Sequence, residues 1–223
     1  MHPFKKVATF TDKYPYVGPI IWILCVQYYI AQVVVAAAWT NPFSLSANVI
    51  SDLGNSACGL YSGRLVCSPF HGLMNASFIL LGLTMAVGSL LIYQEFKETT
   101  SSRLGFTGMA VAGVGAILVG LFPENTIAAL HYGGASLTFL IGNLAIVLLG
   151  NVLELPKALK VYTILSGLVA LIALVLFTGG IYLGLGAGGM ERLTAYPQTT
   201  WLIVFGLYIS RNHFMERMIK SSK

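Results

Sequence analysis

Only eight acidic side chains and four histidines occur in the 223 residues, few enough to be placed one at a time. Asp12, Glu95, Glu98, Glu154 and Glu216 each stand close to a basic residue between apolar stretches and read as solvated interface charge. Asp52, His71, Glu124, His131 and Glu191, with Arg192, stand in nearly apolar surroundings at the other ends of those stretches. Ionisable groups at membrane depth are expensive, so they face cavities and often serve function. Imidazoles and carboxylates together can carry general acid–base chemistry or hold a metal such as zinc. On this reading His71 and His131 are general bases or metal ligands, and Asp52 orients a histidine or ligates the metal. Glu124 is a second acid–base group. Arg192 would hold an anionic headgroup, and Ser51, Asn48, Asn75 and Glu191 complete the substrate site.

The local spacing predicts how these groups are presented. Leu45, Val49 and Leu53 recur every four residues, with Ser44 a plausible N-cap and Gly54 a plausible C′ residue. This predicts a short interfacial helix on which Asn48 and Asp52 share a face. The alternative is a connector whose polar face sees water. His71 opens a helix after Ser68-Pro69, with Asn75 one turn deeper, and His131 opens another after Pro123-Glu124-Asn125. Two histidines at matching helix starts, beside Asp52 and Glu124, predict one polar site at the outer end of the molecule. The competing arrangement has the histidines on separate faces, each meeting lipid headgroups alone.

The elements that position these groups follow from composition. Hydrophobic residues make up 56% of the chain and charged residues 9%, against about 25% charged in a soluble domain. A water-soluble enzyme, a nucleic-acid-binding domain and a disordered chain are all excluded. Six segments, 17–39, 69–93, 104–122, 127–149, 161–185 and 193–210, meet the requirement of about 20 mostly apolar residues per span. The expected fold is therefore all-α, a polytopic membrane protein of six transmembrane helices forming one domain over 1–223. Residues 40–68 form its outer cap. With the N-terminus cytoplasmic, 11 basic residues (Lys5, Lys6, Lys13, Lys97, Arg103, Lys157, Lys160, Arg211, Arg217, Lys220, Lys223) lie inside and 2 (Arg64, Arg192) outside, so both termini are expected in the cytoplasm. Cys58 and Cys67 fall in the outer cap and Cys25 alone within the first span, which favours one disulfide, Cys58–Cys67, over two free thiols. In the third span Gly108, Ala112, Ala116 and Gly120 form a small-residue stripe for close helix packing. The glycines at 179–189 predict a loosened end to the fifth helix.

The order Ser51-Asp52-Leu53-Gly54, His71, Phe122-Pro123-Glu124-Asn125, His131 resembles a prokaryotic membrane family, domain of unknown function number 998, over residues 17–210. The resemblance implies a six-helix bundle and no established activity. A remoter likeness is to membrane hydrolases of the ceramidase and adiponectin-receptor kind, which use Ser, Asp and His around zinc. This chain departs from them in having two outer histidines rather than three and six predicted helices rather than seven. Two classes of function follow. One is a cell-membrane enzyme that hydrolyses or transfers a group of a lipid or lipid-like substrate at the outer leaflet. The other is a non-catalytic protein that binds or transports a lipid or solute. A b-haem carrier with His71 and His131 as axial ligands is a third reading. Membrane lipids and an amphiphilic ligand are the expected partners.

Overall fold

The computed structural model describes residues 11–221. Lys5, Lys6 and Lys223, which enter the charge argument above, lie outside the described residues, as do the side chains of Glu216 and Lys220. Among the described residues five helices are long and apolar enough to cross a membrane: α1 Val17–Ala37, α2 His71–Glu95, α3 Thr100–Leu121, α4 Ala128–Val152 and α5 Lys157–Thr178. A sixth long helix, α6 Gly186–Ser221, carries Pro197 in its interior. Large apolar side chains such as Val33, Leu83, Leu104 and Val175 are exposed on the helices. No water-soluble fold leaves such a belt open, and the chain is a multi-pass helical membrane protein.

Local chemistry sets the helix ends. Thr99 and Ser102 form a reciprocal capping box at the start of α3, and Pro156 immediately precedes α5. The fifth helix ends at Thr178, not at 185 as its apolar run implied. Gly180, Gly184 and Gly186 take positive φ there, so the chain turns and re-enters as α6 well before residue 193. α2 and α3 cross at the carbonyls of Gly82 and Gly113, and α3 and α4 at those of Gly115 and Gly134. A Cβ at any of the four would strike backbone. The small-residue stripe therefore serves two neighbours, with Gly108 facing Ala145 of α4 and Gly120 facing Asn75 of α2. Trp22, Phe106, Trp201 and Phe205 stack in the core. The polar residues of the early helices tie the bundle. Gln27 and Ser77 bond each other, and Tyr196 donates to Gln32.

The cap differs from the expected interfacial helix. Residues 45–48 form turns, Ser44 Oγ accepts the Ala47 N–H, and only Ser51–Gly54 is helical, as a single 3₁₀ turn. The cap then forms a β-hairpin, β1 Gly59–Tyr61 and β2 Arg64–Val66, in the register Gly59↔Val66, Leu60↔Leu65, Tyr61↔Arg64. Ser62 and Gly63, both at positive φ, make its two-residue turn. Cys58 and Cys67 close it as a disulfide, while Cys25 is buried and free. A two-stranded hairpin is marginal alone, and a loop this short gains about 2–3 kcal/mol from its cross-link. Reduction should therefore loosen residues 58–67 selectively, read as a rise in amide exchange confined to the hairpin while the helices stay protected.

Candidate functional site

The cap, the loop after α3 and the break between α5 and α6 meet at one end of the bundle. Asn55 Nδ2 donates to Glu124 Oε1 (3.0 Å), Tyr61 Oη to the Glu124 carbonyl (2.6 Å) and Ser46 Oγ to the Leu185 carbonyl (2.8 Å). Asp52 is the anchor of this assembly. It is fully buried, and the Arg64 guanidinium holds it in a two-pronged pair, Nε to Oδ2 and Nη2 to Oδ1, both 2.8 Å. Asn48 Nδ2 and the Val49 N–H complete its shell at 3.1 Å each. Asn48 and Asp52 do share a face, although no α-helix carries them. The 3₁₀ turn places Ser51, beside Asp52, against the bundle.

There Ser51 Oγ lies 3.0 Å from His131 Nε2. His131 Nδ1 lies 2.8 Å from the Phe122 carbonyl. A carbonyl can only accept, so Nδ1 carries the proton and Nε2 is left as an acceptor facing the serine hydroxyl. A second acceptor competes for that hydroxyl hydrogen: Glu191 Oε1, at 3.5 Å. The shorter contact is the one to the histidine. Glu191 is itself buried and accepts the Ile50 N–H through Oε2. A hydroxyl bonded to the free nitrogen of an oriented imidazole is the arrangement that activates a serine.

The dyad opens on a cavity of about 340 Å³ whose polar wall includes Ser51, Arg64, Glu124, His131 and Glu191. Beneath it a slot of about 30 Å³, lined by Ser51, Glu191 and Gln198 among others, runs into the bundle and is large enough for one water. Gln198 Oε1 is buried there without a partner. α4 has a π-helical turn at Leu137–Ile141, just below His131. Such turns often occur at functional sites. The carbonyl of Phe139 in this turn accepts from Asn143 Nδ2 (2.7 Å).

The model of a family described as a protein of unknown function, DUF998, matches residues 23–208. The chain belongs to this family. No curated protein and no solved structure matches it. The two segments on which the family resemblance rests come together in space: Asp52 neighbours Glu124, and the flanking contacts Ser51–His131, Asn55–Glu124 and the Ser56 N–H to Asn125 Oδ1 (3.1 Å) hold them there.

The other predicted site residues fall elsewhere. His71 and Asn75 are not in the cavity wall. His71 Nδ1 bonds the Ser68 carbonyl (2.9 Å), and Asn75 Nδ2 the Gly54 carbonyl (2.9 Å), so both fasten the cap to α2. Arg192 does not reach the cavity either. Its Nη1 donates to the carbonyls of Leu45, Asn48 and Gly188 at 2.7–2.9 Å. A zinc ion does not fit the expected ligands. Asp52 is taken by Arg64, both nitrogens of His131 are engaged, and among the described residues no three His, Cys, Asp or Glu side chains gather as ligands. The sequence reading missed Arg64 as the partner of Asp52. A buried acid in so apolar a cap needs a cation, and Arg64 is the only base between residues 40 and 68.

Burial pushes the Glu124 carboxyl up to about 8, with the Asn55 hydrogen bond opposing and the neighbouring Asp52 charge adding to the rise. The folded cap therefore keeps a proton that the unfolded chain releases from about pH 4.5 upward. The resulting stabilisation is whole below that value and is lost as pH rises through 8. Cap stability should fall across this window, followed by melting of the purified protein against pH, and Glu124→Gln should flatten the dependence.

Proposed function

We propose that this protein is a membrane serine hydrolase or acyltransferase acting on carboxylic esters of lipid-like amphiphiles at the outer leaflet. The Ser51–His131 contact, with the histidine held by the Phe122 carbonyl, is the observation that carries this reading. Ser51 Oγ attacks the ester carbonyl as its proton passes to His131 Nε2. Collapse of the tetrahedral adduct breaks the acyl C–O bond, and the leaving alkoxide takes the proton from Nε2. Water, or a second alcohol, then gives its proton to Nε2 and attacks the acyl-serine; collapse of this adduct breaks the acyl C–Oγ bond, Nε2 returns the proton to Ser51 Oγ, and an acid or a new ester is released. Arg64 is the cation in the cavity wall, and its Nη1 has only a long, 3.5 Å bond to Ser62. It is therefore the group to meet negative charge on the carbonyl oxygen. The test is capture by a fluorophosphonate, which phosphonylates activated serines, followed by peptide mapping: the adduct should sit on Ser51.

The outer placement of this site rests on a six-span topology with both termini in the cytoplasm. α6 is too polar to qualify by composition, but its polar residues are turned inward: Thr194, Gln198 and Thr199 are buried in the bundle, where such side chains serve helix packing. Lys97, Arg103, Lys157, Lys160 and Arg211 lie at the end opposite Arg64 and Arg192, which supports the orientation. A reporter fused after Lys223 should be active only in the cytoplasm. Activity only on the outer side would reverse the orientation and move Ser51 to the inner leaflet.

A further inference from the structure

α4 and α5 pack closely along their inner halves and part toward the cap. On the inner side a Cβ on Gly150 would meet Thr163 and Ile164, and one on Gly167 would meet Val147 and the Asn143 carbonyl. On the outer side the first segment of α4, Ala128–Ser136, packs on α3 rather than on α5. Beyond Ala173 no residue of α5 is buried, and Val175 is 71% exposed. The cavity of the dyad occupies this widening space. Its two walls differ in balance: Ser51, Arg64 and Glu124 stand on the cap side, while Phe139, Leu174 and Phe177 outweigh Ser136 and Thr178 on the side of α4 and α5.

We propose that the gap between the outer halves of α4 and α5 is a lateral portal through which the acyl chain of a membrane-resident carboxylic ester reaches the dyad from the lipid. The carbonyl then stands at Ser51 while the chain lies between Phe139 and Phe177. This deepens the hydrolase reading and rests on it. An amphiphile satisfies both walls at once. A small soluble ester would leave the aromatic wall unfilled and gain nothing from it. The chain need not leave the hydrocarbon phase to be cut, so the desolvation of an exposed alkyl tail never enters the reaction path.

Two fluorophosphonates that differ only in chain length, ethyl and hexadecyl, separate the portal from the dyad. Each is reacted with the full-length protein in phosphatidylcholine nanodiscs, and the rate of Ser51 labelling is measured. Comparing one protein with another in the same bilayer cancels the unequal partitioning of the probes. Leu174→Trp, which fills the α5 side of the gap, should lower the hexadecyl-to-ethyl rate ratio by about tenfold or more. Val175→Trp, on the lipid-facing side of the same helix, should leave the ratio at the wild-type value. Phe177→Trp offers a second obstruction if Leu174→Trp does not fold. An unchanged ratio in the folded obstruction variant, with Ser51 still labelled, overturns the portal and leaves the dyad standing. Failure of the ethyl probe to label wild-type Ser51 overturns the dyad, and the portal with it.

Discussion

Ser51→Ala should abolish covalent capture by a fluorophosphonate, and any ester turnover should fall by about 10⁴-fold or more, as when a nucleophile of this kind is removed. His131→Ala should cost nearly as much, because the members of such a pair act as a unit. The two changes differ in what they do to the fold. Ser51 is half-buried and its hydroxyl bonds only His131 and, weakly, Glu191, so its loss costs about 1 kcal/mol of stability. His131 is buried and supplies the donor to the Phe122 carbonyl. Its removal orphans that carbonyl at about 1–3 kcal/mol. Ser51→Ala is thus the cleaner test. Glu191→Gln distinguishes the two acceptors. If the histidine holds the serine hydrogen, labelling persists in this variant; if the carboxylate does, labelling falls with Glu191→Gln and survives in a folded His131 variant. That second pattern would refute the dyad.

Much of this arrangement is legible in the sequence, for reasons that differ by element. α1 to α4 follow from apolar length, since a span must satisfy its backbone internally and can only be a helix. The disulfide follows from two cysteines sharing one loop. The meeting of the Ser-Asp-Leu-Gly and Phe-Pro-Glu-Asn segments follows from their placement at the same end of the bundle. The hairpin was not legible. Its strands have three residues each, and Leu60 and Leu65 both face outward, so there is no alternation to read. α6 was only partly legible, because Thr194, Gln198 and Thr199 are tolerated by burial inside the bundle rather than by exposure. The histidines show the limit most plainly. His71 and His131 occupy equivalent sequence positions at helix starts. The π-helical turn and the packing of α4 on α3, which no local pattern reports, accompany His131's position against Ser51, while the Ser68 carbonyl holds His71 on α2.

Asp52 and Arg64 should prove the most strongly coupled pair in the cap. The Asp52 side chain is fully buried and that of Arg64 is 21% exposed. Removing either partner from a buried pair leaves an uncompensated charge, at about 3–5 kcal/mol. The water that reaches Arg64 places Asp52→Ala near the low end, about 3 kcal/mol. Arg64→Leu should cost as much, since the carboxylate it strands keeps only neutral partners: Asn48, the Val49 N–H and the neighbouring Glu124 carboxyl. The double variant should be less destabilised than the sum of the two, because it strands neither charge, and the shortfall in a double-mutant cycle measures the coupling. Equilibrium unfolding followed by amide exchange in residues 48–66 reads the effect where it arises. A sum that is simply additive would mean that the pair is not coupled and that each residue acts through its other neighbours. The same variants should also slow labelling of Ser51. Asp52 follows Ser51 directly, and its hydrogen bond from the Val49 N–H fixes the turn that aims the hydroxyl at His131. A displacement of about 1 Å is enough to cost a reacting group 10²-fold. If Asp52→Ala unfastens the cap yet Ser51 reacts at the wild-type rate, the 3₁₀ turn is held by its contact with α4 and not by the buried ion pair.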